Sequence, residues 1–168
     1  MRNRRIGFLL LMVACGLRPA GTVSQTVNWQ PIDEAIGRGG APQDGGVRRY
    51  GFPRSDLQVT ADGVPIKPAF ALGSWAAFLP TGNTMLVMGD LVLRESEISA
   101  VMDALQSGGI EQSAIHHHIL NESPRVLYTH IHAHGDGIAI ARTIHNALSM
   151  TSTPGPAPAG NPPAIDLD

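Results

Sequence analysis

Apolar positions that recur at regular spacing predict a helix near the start of this chain. Trp29, Ile32 and Ile36 lie three and four residues apart, which places them on one helical face. Asn28 is a candidate N-cap, and Gly37 is a candidate end of the helix. We therefore expect a short amphipathic helix here.

A change from helical spacing to alternation predicts a β-hairpin around Asp62-Gly63, a dipeptide typical of two-residue hairpin turns. Residues whose numbers sum to 125 then face each other, so that Val59 opposes Ile66. This register gives the hairpin one apolar and one mostly polar face, as a half-solvated antiparallel pair requires.

The rest of the pattern alternates between the strand and helix periods. Two apolar runs, 70–79 and 84–93, predict strands, and a helical stripe follows from Ile98 to Leu105. Further strands are predicted over 110–120 and 125–134, and a last helix over 137–149. The fold class expected is α+β, with a mostly antiparallel sheet of about six strands and two or three packed helices.

The first 26 residues have the composition of a signal peptide. Three arginines precede an apolar stretch, residues 6–14, that is too short to span a bilayer. Cys15 follows Ala14 and precedes Gly16, which matches a bacterial lipobox and predicts lipidation at Cys15. Ordinary cleavage after Ala20 remains the alternative. Both readings predict an exported protein, periplasmic or at the cell surface.

Composition indicates the extent of the folded domain and the classes of partner that the chain can bind. Residues 151–168 hold five of the thirteen prolines and predict a disordered tail, which leaves 27–150 as a single α+β domain. Without the four arginines of the leader, eight basic residues face fourteen acidic ones, a net charge of about −6 with neutral histidines. This balance argues against a nucleic-acid partner, and it leaves a lipid anchor as the only expected membrane contact. The oligomeric state is not indicated.

The histidines are concentrated in one place. Six of the seven lie within nineteen residues, in the predicted strands 110–120 and 125–134. Alternate residues of a strand share a face, so a metal site on a His-rich β-hairpin is expected. The predicted ligands are His116, His118, His130, His132 and His134.

The hairpin register decides which histidines meet. A four-residue loop places His117 on the face of His130 and His132, whereas a five-residue loop places His116 opposite His130, with His118 and His132 on the same face. We adopt the second register because it gathers four histidines. The ion expected is Zn²⁺, although imidazole also suits Cu²⁺, Ni²⁺ and Fe²⁺.

Three charged residues outside the hairpin are further candidates. Arg54 and Asp56 flank Ser55 at a strand entrance, and Arg54 either binds a small anionic substrate or pairs with Asp56 to fix a loop. Asp90 interrupts an apolar strand and is expected to orient a ligand histidine from behind.

Five segments along the chain form a distinctive series: residues 52–57, 68–75, 88–93, 116–118 with the Glu-Ser-Pro-Arg turn behind them, and 130–136. In this order they resemble the LppY/LpqO family of bacterial exported proteins and lipoproteins, a domain of unknown function. The resemblance spans about residues 28–150 and implies export and lipid anchoring. It also marks His116 and His118 over His117.

These features leave three functions open. The first is an exported module that binds a transition metal. The second is a metal-dependent enzyme of the hydrolase or lyase type, in which three histidines leave a coordination position open for a small anionic substrate. The third is a structural protein whose histidines are incidental. Ligand count separates the first two.

Overall fold

Strands outnumber helices in the computed structural model, which describes residues 27–156. The helices are α1 (Gln30–Ile36), α2 (Pro68–Ala71), α3 (Ile98–Ser107) and α4 (Gly137–Leu148). The strands are β1 (Ala41–Pro42), β2 (Arg48–Pro53), β3 (Thr60–Ala61), β4 (Val64–Pro65), β5 (Gly73–Thr81), β6 (Thr84–Arg94), β7 (Glu111–His116), β8 (Glu122–Ser123) and β9 (Val126–Gly135).

Six of the strands form the main sheet, in the order β1-β2-β5-β6-β9-β7, and every neighbouring pair is antiparallel. β9 lies between β6 and β7, so the last strand along the chain is an interior strand of the sheet. The remaining three strands form a small sheet, in the order β4-β3-β8. The expected α+β class with an antiparallel sheet of six strands is confirmed.

One face of the main sheet is buried under α1, α3 and α4. The apolar stripes of these helices supply Ile36, Leu105 and Ile144, each at most 1% exposed. They pack on alternate residues of the strands, among them Phe78 and Leu91, which are fully buried. Asp136 caps α4 as expected, because its side chain accepts hydrogen bonds from the backbone N–H groups of Ile138 and Ala139, a common N-cap arrangement.

The opposite face is only partly covered. The small sheet, α2 and the loops beside them pack over one part of it and bury a second apolar cluster (Leu57, Val59, Leu72, Val92, Val126 and Tyr128). Elsewhere this face is open, and Met88 in the middle of β6 stays 55% exposed. Side chains on the open part can therefore reach solvent and ligands.

Several element boundaries differ from the sequence prediction. The hairpin at Asp62-Gly63 has the predicted register, with Thr60 opposite Pro65, but each of its strands has only two residues. β2 was not predicted, and the strand expected over 70–79 begins at Gly73 because Pro68–Ala71 forms a helical turn. The strand expected over 110–120 ends at His116.

The predicted tail begins inside the described residues. The backbone N–H of Ser152 lies 3.3 Å from a carboxylate oxygen of Glu97, and Arg38 donates to the carbonyl oxygen of Pro154. Residues 151–156 therefore touch the body of the domain. The rest of the predicted tail, 157–168, lies outside the described residues, as do the predicted signal peptide 1–26 and Cys15.

Candidate metal centre

Three of the predicted ligands converge at the border between the covered and open parts of the sheet. They are His116 at the end of β7, His118 two residues further on, and His130 in β9. Each offers a ring nitrogen, and these three nitrogens all lie within 4.8 Å of one another. The Nε2 atoms of His116 and His130 are 3.1 Å apart. Ligands bound to one Zn²⁺ by bonds of about 2.0–2.1 Å are separated by roughly 3.3 Å, so only small movements would bring all three onto one ion.

Asp90 adds a carboxylate to this group. It lies directly opposite His130 in the β6–β9 pair. Its Oδ2 atom is 3.8 Å from Nε2 of His130 and 3.9 Å from Nε2 of His118. These separations are too long for hydrogen bonds, so the bond expected of a residue that orients a histidine from behind is not formed. They suit two ligands that share an ion, which makes Asp90 a candidate ligand.

The other oxygen of Asp90 supports this assignment. Oδ1 is buried and has no hydrogen-bond partner within residues 27–156. A buried carboxylate oxygen without a partner is costly, and a bound cation would offset that cost. The donor set, three imidazoles and one carboxylate, is one that Zn²⁺ commonly takes. We name His116, His118, His130 and Asp90 the His₃Asp cluster.

The path of the chain after β7 explains which histidines come together in the cluster. His116 opposes Tyr128, and Ala114 opposes His130, so His116 and His130 are diagonal neighbours. They share a face, as the adopted register requires. The pairing is nevertheless shifted by two residues from that register, and the connection from β7 to β9 is longer than the five residues expected. It contains β8, which pairs with β3 of the small sheet. His118 therefore reaches the cluster from a loop and not from a strand.

His117 faces another way, as the adopted register requires. Its Nδ1 atom lies 2.8 Å from Oε1 of Glu122 and 3.0 Å from the carbonyl oxygen of Val126. Arg125 lies 3.0 Å from its Nε2 atom. These contacts hold the loop and leave His117 outside the cluster.

His132 and His134, which are also predicted ligands, do not lie in the group that the three other histidines form. Both share the open face with His130, but successive residues on one face of a strand are about 7 Å apart. Nδ1 of His132 lies 3.9 Å from an oxygen of Glu111. Nε2 of His134 lies 3.1 Å and 3.0 Å from the hydroxyl oxygens of Thr81 and Thr84. Each therefore has separate surroundings further along the strand.

Tyr128 is a site residue that the sequence analysis missed. Its ring centre is 4.1 Å from that of His118 and 6.3 Å from that of His116. Its hydroxyl donates to the carbonyl oxygen of Ala71, and burial, helped by the charges of Glu122 and Asp90, raises its pKa to about 12. Tyr128 therefore stays protonated and supports the imidazole of His118. Its position two residues before His130, on the same strand face, was the available signal.

A groove of about 630 Å³ opens beside the cluster. Asp90, His118 and Tyr128 line one end, and Arg49, Phe70 and Trp75 line other parts of it. The cluster borders this groove through Asp90 and His118, and the His118 side chain is 47% exposed. We call this cavity the groove below.

One family model matches residues 30–150, and its description is Domain of Unknown Function (DUF1259). The chain belongs to this family. The match to DUF1259 covers nearly all the described residues and agrees with the expectation of a family of unknown function; the LppY/LpqO name itself stays a prediction. No curated protein and no solved structure matches the chain. Within 27–156, no helix of this DUF1259 member is both long enough and apolar enough to cross a membrane.

Arg54 does not bind a substrate in this DUF1259 domain; this prediction is corrected by its burial. Arg54 is fully buried, and all five of its N–H groups donate within the protein. They reach both oxygens of Asp56, both oxygens of Glu97 and the carbonyl of Val92. The structure therefore agrees with the alternative, in which Arg54 and Asp56 form a pair that fixes the loop. Both oxygens of Asp56 accept hydrogen bonds from Arg54 in this pair.

The two carboxylates around Arg54 make stability depend on pH. Burial alone would raise the pKa of Asp56 and of Glu97, but the hydrogen bonds and charge of Arg54 outweigh burial and hold both pKa values below normal. A carboxylate whose pKa is lower in the folded state stabilises the fold above its unfolded pKa, near 3.8 for Asp56 and 4.5 for Glu97. That contribution is lost as pH falls through the folded pKa.

We expect Glu97→Gln to lower the free energy of unfolding at pH 7, with a deficit that shrinks as pH falls below about 4. The measurement is urea unfolding of both proteins at pH 7 and pH 3.5. Glu95→Gln, which alters an exposed carboxylate two residues away, is the control and should change little at either pH. An equal deficit for Glu97→Gln at the two values would contradict the assignment.

Proposed function

We propose that this domain is an exported module that binds one divalent transition ion, Zn²⁺ in the first instance, through the His₃Asp cluster. The observation that carries the proposal is the convergence of three imidazoles and one carboxylate from β6, β7, β9 and the loop after β7. The three imidazole nitrogens lie within 4.8 Å of one another, and the Asp90 carboxylate lies 3.9 Å and 3.8 Å from those of His118 and His130.

The chemistry of the donors supports a transition metal over Ca²⁺ or Mg²⁺. Imidazole nitrogen suits Zn²⁺, Cu²⁺, Ni²⁺ and Fe²⁺, whereas Ca²⁺ and Mg²⁺ require mainly oxygen ligands. Cys15 is the only cysteine of the chain, so residues 27–168 offer no thiolate. One carboxylate and three neutral imidazoles also leave a bound divalent ion with a net positive charge, so that the site still attracts an anion.

Export is proposed from the leader alone. The arginines and the short apolar stretch of residues 1–26 support secretion, and the surroundings of Cys15 support a lipid anchor. The intact mass of the exported chain tests both, because lipidation at Cys15 and cleavage after Ala20 give different masses.

A metal-dependent enzyme of the hydrolase or lyase type is the second candidate. The observation that favours it is that the groove reaches the cluster at Asp90 and the half-exposed His118. A bound ion at such a site would supply Lewis acidity toward a carbonyl or a water molecule. The residues of the chain would hold the ion and orient the substrate. A closed site would instead serve storage or structure.

The decisive experiment is elemental analysis of the full-length protein, produced without a polyhistidine tag and desalted. We expect about one equivalent of a transition metal per chain, and a rise in melting temperature on adding Zn²⁺ that a chelator reverses. At a free ion concentration of 100 times the dissociation constant, binding stabilises the fold by about 2.7 kcal/mol. Protein that takes up no metal and melts identically with and without Zn²⁺ would end the proposal, and would favour histidines that are incidental to a structural role.

A further inference from the structure

Arg49 is a cation in the groove that has no partner of opposite charge within residues 27–156. Its side chain extends from β2, and its guanidinium carbon lies 5.0 Å from the centre of the Trp75 ring. By contrast, Arg48, Arg54 and Arg94 each pair with a carboxylate. An exposed guanidinium that stacks on an aromatic ring and lines a cavity is well placed to bind an anion.

The floor of the groove runs from the neighbourhood of Arg49 to the cluster. Gly51 faces Trp75, Trp75 faces Asp90, and Asp90 faces His130, so these four residues form one row across β2, β5, β6 and β9. A Cβ atom added to Gly51 would meet no atom within 4 Å, so the space above it is open. A ligand can therefore lie along the row without meeting a side chain at Gly51.

Apolar side chains line part of the groove, and polar atoms line the rest. Phe70 on α2 is 82% exposed, and Pro53, Pro68, Trp75 and Tyr128 also line the cavity. These side chains can contact the apolar body of a small molecule that lies in the groove. The volume, about 630 Å³, lies in the usual range for small-molecule sites of about 300–1,000 Å³.

We infer that the groove binds a small organic anion with an apolar or aromatic body, whose charged group pairs with Arg49 and whose other end approaches the metal. The inference rests on the proposed function, because an ion in the cluster is needed to cancel the charge of Asp90. Without the ion, the carboxylate of Asp90 repels an anion. With a divalent ion the cluster has a net charge of +1, and both ends of the groove are then positive.

The dimensions define the class of ligand further. β2 and β6 are two strand spacings apart, about 10 Å. A rigid aromatic ring with an acidic group at each end spans most of that distance, and its faces can contact Trp75 and Phe70. A single inorganic anion would occupy one end only. Terephthalate is therefore a suitable probe, and benzyl alcohol is a probe that keeps the ring and lacks the charge.

The test is calorimetric titration of terephthalate into the zinc-loaded full-length protein. We expect saturable binding that Arg49→Gln weakens by about tenfold, which is the usual effect of losing a charge-assisted hydrogen bond. Arg142→Gln removes an exposed arginine from α4, on the other side of the sheet, and should leave the affinity unchanged. Benzyl alcohol should give no saturable heat. Matching melting temperatures of the three proteins would show that the variants fold.

The outcomes separate this inference from the proposal on which it rests. Normal zinc uptake without terephthalate binding would overturn the inference alone. Equal affinity of Arg49→Gln and the unaltered protein would also overturn it, as would benzyl alcohol binding as tightly as terephthalate. Terephthalate binding that is equally tight in zinc-free protein would contradict the role given to the ion. Failure to take up zinc would overturn the proposed function and, with it, this inference.

Discussion

Replacing His130 by alanine is expected to lower the affinity for Zn²⁺ by more than about 100-fold. His130 contacts two other members of the cluster, with its Nε2 atom 3.1 Å from that of His116 and 3.8 Å from Oδ2 of Asp90. Substitution of residues that merely support a ligand costs about 10–100-fold in affinity, so loss of the ligand itself should cost more. Titration against a competing chelator measures the change.

His134→Ala is the matched control for this prediction. His134 lies on the same face of the same strand, but its contacts are Thr81 and Thr84, so its loss should leave the zinc affinity unchanged. His118→Ala should behave like His130→Ala, since His118 belongs to the cluster. Equal losses for His130→Ala and His134→Ala would place the ion elsewhere on the strand and contradict the cluster.

Replacing Arg54 by methionine is expected to lower the free energy of unfolding by about 3–5 kcal/mol. The substitution leaves the carboxylates of Asp56 and Glu97, whose side chains are 15% and 9% exposed, without their cation. It also removes a donor from the buried carbonyl oxygen of Val92. Since a domain of this size has only about 5–15 kcal/mol of stability, the loss is a large part of the whole. Urea unfolding measures it.

A control variant and a double variant test this prediction further. Arg142→Met, at an exposed helix position, should change stability by less than about 0.5 kcal/mol. Arg54→Met combined with Glu97→Met should recover part of the loss, because one unpaired carboxylate is then removed as well. A loss below about 1 kcal/mol for Arg54→Met alone would mean that water reaches both carboxylates and that the pair is not structural.

The sequence pattern was sufficient for the shared face of the histidines and for the main helices, but not for the register of the hairpin. Alternation placed His116 and His130 on one face, and the helical stripes identified α1, α3 and α4, because both signals are local. β2 was missed because Arg48–Pro53 includes two arginines, a glycine and a proline, which are a poor strand signal. Its partner β5 supplies the context that overrides propensity.

The rest of the site depends on contacts between distant segments. Asp90 meets His130 only because β9 inserts between β6 and β7, and nothing in either segment specifies that neighbour. His118 reaches the cluster because β8 pairs with β3, which redirects the loop. The burial of Arg54 likewise cannot be predicted from a pattern in which charged residues are assumed to be exposed. The sequence therefore could not decide whether Arg54 binds a substrate or pairs with Asp56 to fix a loop.

The pairing of β8 with β3 gives a bound ion a mechanical role. His118 belongs to the segment that contains β8, whereas His116, His130 and Asp90 belong to the main sheet. An ion bound by all four residues of the His₃Asp cluster would link the small sheet to the main sheet. It would stabilise the position of β8, a two-residue edge strand with few backbone hydrogen bonds of its own. Loss of the ion would then destabilise the packing of the small sheet over the second apolar cluster, while α1, α3 and α4 on the other face stay in place.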